Sequence, residues 1–174
     1  MKLMAKVFLL MLLLSSCSSQ VEDYVNSSPE FKLEEYFQGE IKAWGILQDY
    51  TDKVSRRFTV DIKANWQGNT GTLKEYFVFD DGETQYREWT LTKLENGLYK
   101  GTANDVVGTA LIKQQGYAVN LQYQLEVPID DSSYIFTIDD WMYRIDDTRV
   151  FNRSTLSKFG VDVAEITLFF EKKS

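Results

Sequence analysis

The chain has 174 residues, with 19 lysines and arginines against 26 aspartates and glutamates, a formal net charge of −7, no histidine and one cysteine. This acidity excludes the positive footprint of a nucleic-acid binder and a polybasic grip on anionic lipid. The absence of histidine, with a lone cysteine, excludes Ser-His-Asp and Cys-His catalysis and leaves zinc and related metals without their usual nitrogen and sulfur ligands.

The first predicted element is a leader. Lys2 and Lys6 flank a basic start, and Val7 to Leu14 form an apolar run of eight residues. A bilayer span needs about 20 apolar residues, so the run fits a secretion signal over residues 1–16. Leu14-Ser15-Ser16-Cys17 resembles the lipobox of bacterial lipoproteins, which makes Cys17 the lipidated residue. Each acyl methylene buried in the membrane adds about 0.8 kcal/mol, so several chains on one N-terminus anchor a protein firmly. Ser18, standing where inner-membrane lipoproteins carry aspartate, points to the outer membrane, facing the periplasm. Loss of Lys2 and Lys6 with the leader takes the remainder to about −9.

Residues 17–30 follow as the lipidated cysteine and a flexible tether, polar and small from Ser18 to Glu30. Fully extended, these thirteen residues reach at most about 43 Å, enough to hold a domain clear of the membrane. Residues 31–174 read as one domain. Phe31 to Phe37 fits a short helical turn or a leading strand equally well.

Beyond that point apolar and polar residues alternate, with turn signals about every 8 to 12 residues. Phe58, Val60, Ile62, Ala64 and Trp66 share one face of a strand, and Tyr117, Val119, Leu121, Tyr123, Leu125 and Val127 share a face of another. Asp81-Gly82 and Asn96-Gly97 mark hairpins; Asp130-Asp131 and Asp146-Asp147 mark polar tips. The predicted strands are 40–50, 54–66, 72–79, 84–94, 98–113, 117–128, 133–145, 149–158 and 161–171. About nine consecutive antiparallel strands leave two open edges unless the sheet closes on itself, so the expected fold is an all-β, up-and-down barrel or curled half-barrel. A sandwich is the alternative.

No P-loop, Gly-x-Gly-x-x-Gly or Gly-x-Ser-x-Gly occurs, and the adjacent aspartate pairs mostly sit in turns, so no catalytic residue, cofactor or metal is expected. Asp139-Asp140 differs, because it interrupts an apolar strand and one of the two must share a face with apolar neighbours. Arginines also fall on apolar faces: Arg56 in line with Phe58 and Val60, Arg87 with Trp89 and Leu91, Arg153 with Phe151 and Phe159. Two readings stay open. Each arginine is paired with Asp139, Asp140 or Glu83 or emerges at a barrel end; or an arginine fork receives the carboxylate or phosphate of an amphiphilic ligand. On the second reading the ligand-binding residues are Arg56, Arg87, Arg153, Trp44, Trp89, Asp140, Trp141 and Tyr143.

Lys42-Ala43-Trp44-Gly45, Arg56-Arg57-Phe58-Thr59-Val60, Asp81-Gly82-Glu83, Asp139-Asp140-Trp141-Met142-Tyr143, Asn152-Arg153 and Lys158-Phe159-Gly160 together resemble the proteobacterial lipoprotein family called domain of unknown function thirty-eight thirty-three. The resemblance implies a lipobox-anchored, lipocalin-like barrel, and it brings no activity and no assigned site. The expected function is binding of a small apolar or amphiphilic, lipid-like molecule inside the barrel, without catalysis. The alternative is a structural or interaction lipoprotein with a solidly packed core and an envelope protein as partner.

Overall fold

The computed structural model describes residues 19–173, so the expected leader and Cys17 lie outside the described residues. Ten antiparallel strands form one closed barrel: β1 (Gly39–Asp49), β2 (Val54–Gln67), β3 (Thr70–Phe79), β4 (Thr84–Lys93), β5 (Leu98–Thr102), β6 (Val106–Gln115), β7 (Ala118–Ile129), β8 (Ser132–Arg144), β9 (Arg149–Lys158) and β10 (Val161–Lys172). Each pairs with its sequence neighbours, and β1 closes on β10 from Ile41↔Lys172 to Asp49↔Ala164. Closure leaves no edge strand to template aggregation.

The expected strand 98–113 is two strands. The chain turns at Ala103, where the Val106 amide donates to the Ala103 carbonyl. Beyond the short β5, the Asn104 side chain takes over the pairing of β4: it accepts from the Glu88 amide at 3.0 Å and donates to the Tyr86 carbonyl at 3.2 Å. Alternation runs unbroken through Gly101 and Ala103, so the sequence hides this turn.

Tight curvature is met by glycine opposite aromatic rings. A Cβ on Gly45 would lie 2.4 Å from the ring of Phe58, its partner across β1 and β2, and one on Gly71 would lie 2.3 Å from that of Trp66, its partner across β2 and β3. The ring occupies the space a side chain would fill, which keeps the strand packed where it bends.

One end is plugged. The short helix α1 (Leu33–Tyr36) and its flanks bury Phe31, Leu33, Tyr36 and Phe37. The Phe31 amide donates to the Gly116 carbonyl at 2.7 Å, the Tyr36 hydroxyl to the Thr148 carbonyl at 3.0 Å, and the Trp66 amide to the Gln38 side chain at 2.9 Å. Glu34 binds both Lys93 and the Tyr99 hydroxyl. These contacts reach the turns at one end from four directions, and the turns before β2, β4, β6, β8 and β10 form the opposite, open end. All ten strands of the closed barrel and the plug lie within residues 19–173.

Part of the segment expected as a tether, residues 17–30, packs on the barrel. Val21–Tyr24 forms a 3-10 turn with Val21 buried, and Tyr24 packs against Tyr117, Trp141 and Tyr143 on the outside of the plugged end. The Ser27 hydroxyl accepts from the Tyr117 amide at 3.1 Å. An aromatic residue and a valine in a short polar segment gain more by covering apolar surface than by staying solvated. No helix among the described residues is long and apolar enough to cross a membrane.

Candidate functional site

Inside the barrel, above the plug, lies a cavity of about 240 Å³. Its walls are mostly apolar and aromatic, with Phe58, Phe77, Trp89, Leu121, Ile138 and Leu156 among them. The inward parity of each strand supplies them, because successive side chains alternate between the two faces of the sheet.

A polar belt crosses this wall at half height. From β3 to β9 it comprises Glu75, Arg87, Asp105 beside Arg87, Tyr123, Asp140, Asn152 and Ser154. Register brings them together: Glu75 faces Arg87 across β3 and β4, and Asp140 faces Ser154 across β8 and β9. The Arg87 guanidinium donates from Nε to both Asp105 oxygens at 3.0 and 2.8 Å, and its Nη2 lies 2.7 Å from the same carboxylate. Glu75 stands farther off, 3.8 Å from Nη1. Asn152 donates to Asp140.

Burial sets the charge states. It pushes the Glu75 carboxyl up to about 7 against the pull of Arg87, with Asp105 and Asp140 adding to the rise. It lifts Asp140 to about 6 against hydrogen bonds from Asn152 and Ser154. The Tyr123 hydroxyl is pushed well above its usual range by burial, then by Asp140. Arg87 stays charged: burial opposes its charge, and Tyr123, Glu75 and Asp105 together outweigh it.

The structure separates the expected ligand-binding residues into two groups. Arg87, Trp89 and Asp140 face the cavity together, and Arg56 lies at its open end. Arg56 is bound to Asp81 at 2.9 Å and Glu83 at 2.8 Å and stacks on Phe79 at 3.7 Å, while its Nε is buried without a partner. The other four side chains lie on the outer surface. Arg153 is 67% exposed and pairs with Glu165 at 2.6 Å, not with Asp139, Asp140 or Glu83. Trp44 stacks on Phe169. Trp141 donates to Asp139 at 3.0 Å and stacks on Tyr143, both under Tyr24.

In β9 the inward positions are Val150, Asn152, Ser154 and Leu156, so Arg153 and Phe151 share the outer face. Outer aromatic clusters made that face look interior. Glu75, Asp105, Asn152 and Ser154 were absent from the expected site. Glu75 carried a readable signal, since it shares the parity of Leu73, Phe77 and Phe79. Asp105 carried none, because the turn that aims it inward was hidden. Among the described residues no group of three or more Cys, Asp or Glu side chains is arranged to hold a metal ion.

The family model described as Protein of unknown function (DUF3833) matches residues 11–172. A search of curated proteins returned no match. Among solved structures, the S-type phycobiliprotein lyase CPES from Guillardia theta aligns with 83% of this chain and 94% of its own, with a TM-score of 0.60 and 10% sequence identity. The likeness is one of fold, and it makes this barrel lipocalin-like.

Proposed function

We propose that this chain, which belongs to the DUF3833 family, is a lipid-anchored carrier that holds one small apolar or amphiphilic molecule inside its barrel. The observation that carries this reading is the cavity, with apolar walls and a single belt of converging polar groups, which is the usual build of a small-molecule site. Sites for drug-sized ligands run from roughly 300 to 1,000 Å³. At about 240 Å³ this one suits a slender ligand, such as a single aliphatic chain or a small ring system. A solidly packed interaction module would have no use for polar side chains facing an unfilled interior, because such groups cost stability.

The anchor bears on orientation. Three residues, Ser18, Ser19 and Gln20, separate Cys17 from the buried Val21, a reach of about 14 Å at most over the four steps of chain. Lipidation of Cys17 in the outer membrane would set the plugged end near the bilayer and turn the open end toward the periplasm, so exchange of ligand would take place on the side away from the anchor.

One preparation tests both parts. Wild-type and Cys17→Ala chains are expressed in a bacterial host fed labelled palmitate, and each purified protein is extracted with organic solvent for mass spectrometry. Label on wild type alone, with a small molecule released in about one-to-one ratio, is the expected result. Equal labelling of the two proteins would sink the anchor, and a clean extract from folded, native protein would speak for a packed module.

A further inference from the structure

Arg87 is committed within the protein. Its Nε and Nη2 lie on Asp105, one charge against one, and Glu75 is beyond hydrogen-bond distance at 3.8 Å. Arg56 at the mouth is shared between Asp81 and Glu83. These are the only basic side chains among the described residues lining the cavity. Glu75 and Asp140 therefore face the interior without a hydrogen-bonded cation: Arg87, already held by Asp105, stands 3.8 Å from Glu75, Asp140 is hydrogen-bonded by the neutral donors Asn152 and Ser154, and the Asp140 charge adds to the rise of Glu75. A ligand carboxylate or phosphate entering here would meet like charge in a poorly solvated space, where repulsion is strong. An ammonium group would meet its missing counter-ions, beside the aromatic faces of Tyr123 and Trp89, which pack edge to face at 5.4 Å.

Resting on the carrier reading, we infer that the molecule held in the barrel bears a protonated amine, received between Glu75 and Asp140, with its apolar part among Phe77, Trp89 and Leu121. The arginines then serve to hold the acidic belt in place and do not capture an anionic head. Because burial lifts Glu75 to about 7 and Asp140 to about 6, both gain charge between pH 5 and 8, and an amine should bind more tightly across that span. The other groups facing them, Arg87, Asp105 and Tyr123, are bound to one another or buried.

The test uses residues 19–173 and three probes of one chain length, decylamine, decanol and decanoate, titrated calorimetrically below their micelle concentrations. At pH 7.5 decylamine should bind at least tenfold more tightly than decanoate, with decanol between them, and its affinity should rise from pH 5 to 8. Glu75→Gln and Asp140→Asn, each checked for native dichroism, should each lower the amine-to-alcohol affinity ratio at least fivefold. Decanoate equal to or tighter than decylamine overturns the inference and leaves the carrier standing. An amine no tighter than the alcohol does the same, and failure of all three probes overturns both readings.

Discussion

Arg87→Leu should cost about 3–5 kcal/mol of unfolding free energy at pH 7.5, the usual result of stranding a buried partner charge. Arg87 is 19% exposed and Asp105 27%, and three hydrogen-bond-length contacts join them inside the barrel wall. Leucine keeps much of the packing against Phe77 and leaves the Asp105 carboxylate facing Glu75 and Asp140 with no positive charge nearby. Arg56→Leu should cost about 1 kcal/mol or less, because its carboxylate partners are 55% and 49% exposed and water serves them when the arginine goes. Arg153→Leu should change little. Denaturant unfolding of the three variants checks the ranking, and an Arg87 variant as stable as wild type would mean the belt is not the charge-balanced unit described.

Glu75→Gln should act in the opposite direction. The Glu75 carboxyl moves from an ordinary 4.5 up to about 7 on folding, so between those values the folded chain binds more protons than the unfolded one and stability falls as pH rises. A neutral glutamine of the same shape removes that dependence. The variant should match wild type near pH 4 and exceed it by about 3 kcal/mol at pH 7.5. Several carboxylates held below their usual range, such as Asp61 beside Lys42 and Asp80 beside Arg57, pull total stability the other way at low pH. The difference between variant and wild type, followed by thermal unfolding from pH 4 to 8, isolates the Glu75 contribution; a variant less stable at pH 7.5 than at pH 4 relative to wild type would refute it.

Much of the barrel was legible because alternation is a local property. Phe58, Val60 and Ile62, and likewise Val119, Leu121 and Leu125, face inward as their spacing requires, and the closed barrel follows from many short strands in succession. The split between β5 and β6 was not legible, since an asparagine side chain stands in for lost backbone pairing without disturbing the apolar pattern. That Arg87, Trp89 and Asp140 face the cavity was legible because their strands carry clear inward neighbours. Trp44, Trp141, Tyr143 and Arg153 were misplaced because this barrel also carries aromatic clusters outside, Trp44 with Phe169 and Phe151, and Tyr24 with Trp141 and Tyr143. Hydrophobic character marks the interior only where one face is wet. The partners Asp105 and Glu165 depend on cross-strand register and on a turn, neither of which spacing along the chain encodes.

On the carrier reading, ligand enters the barrel interior and does not merely coat its apolar outside, where Trp44, Phe169 and Val78 line a shallow groove. Nuclear magnetic resonance of residues 19–173 titrated with decylamine and decanol separates the two directly. Contacts are expected from the ligand chain to the Trp89 and Phe77 rings and to the methyl groups of Leu121 and Ile138, with the Trp44 indole unmoved. Contacts confined to Trp44, Phe169 and Phe151, with the cavity resonances unchanged at saturation, would contradict it.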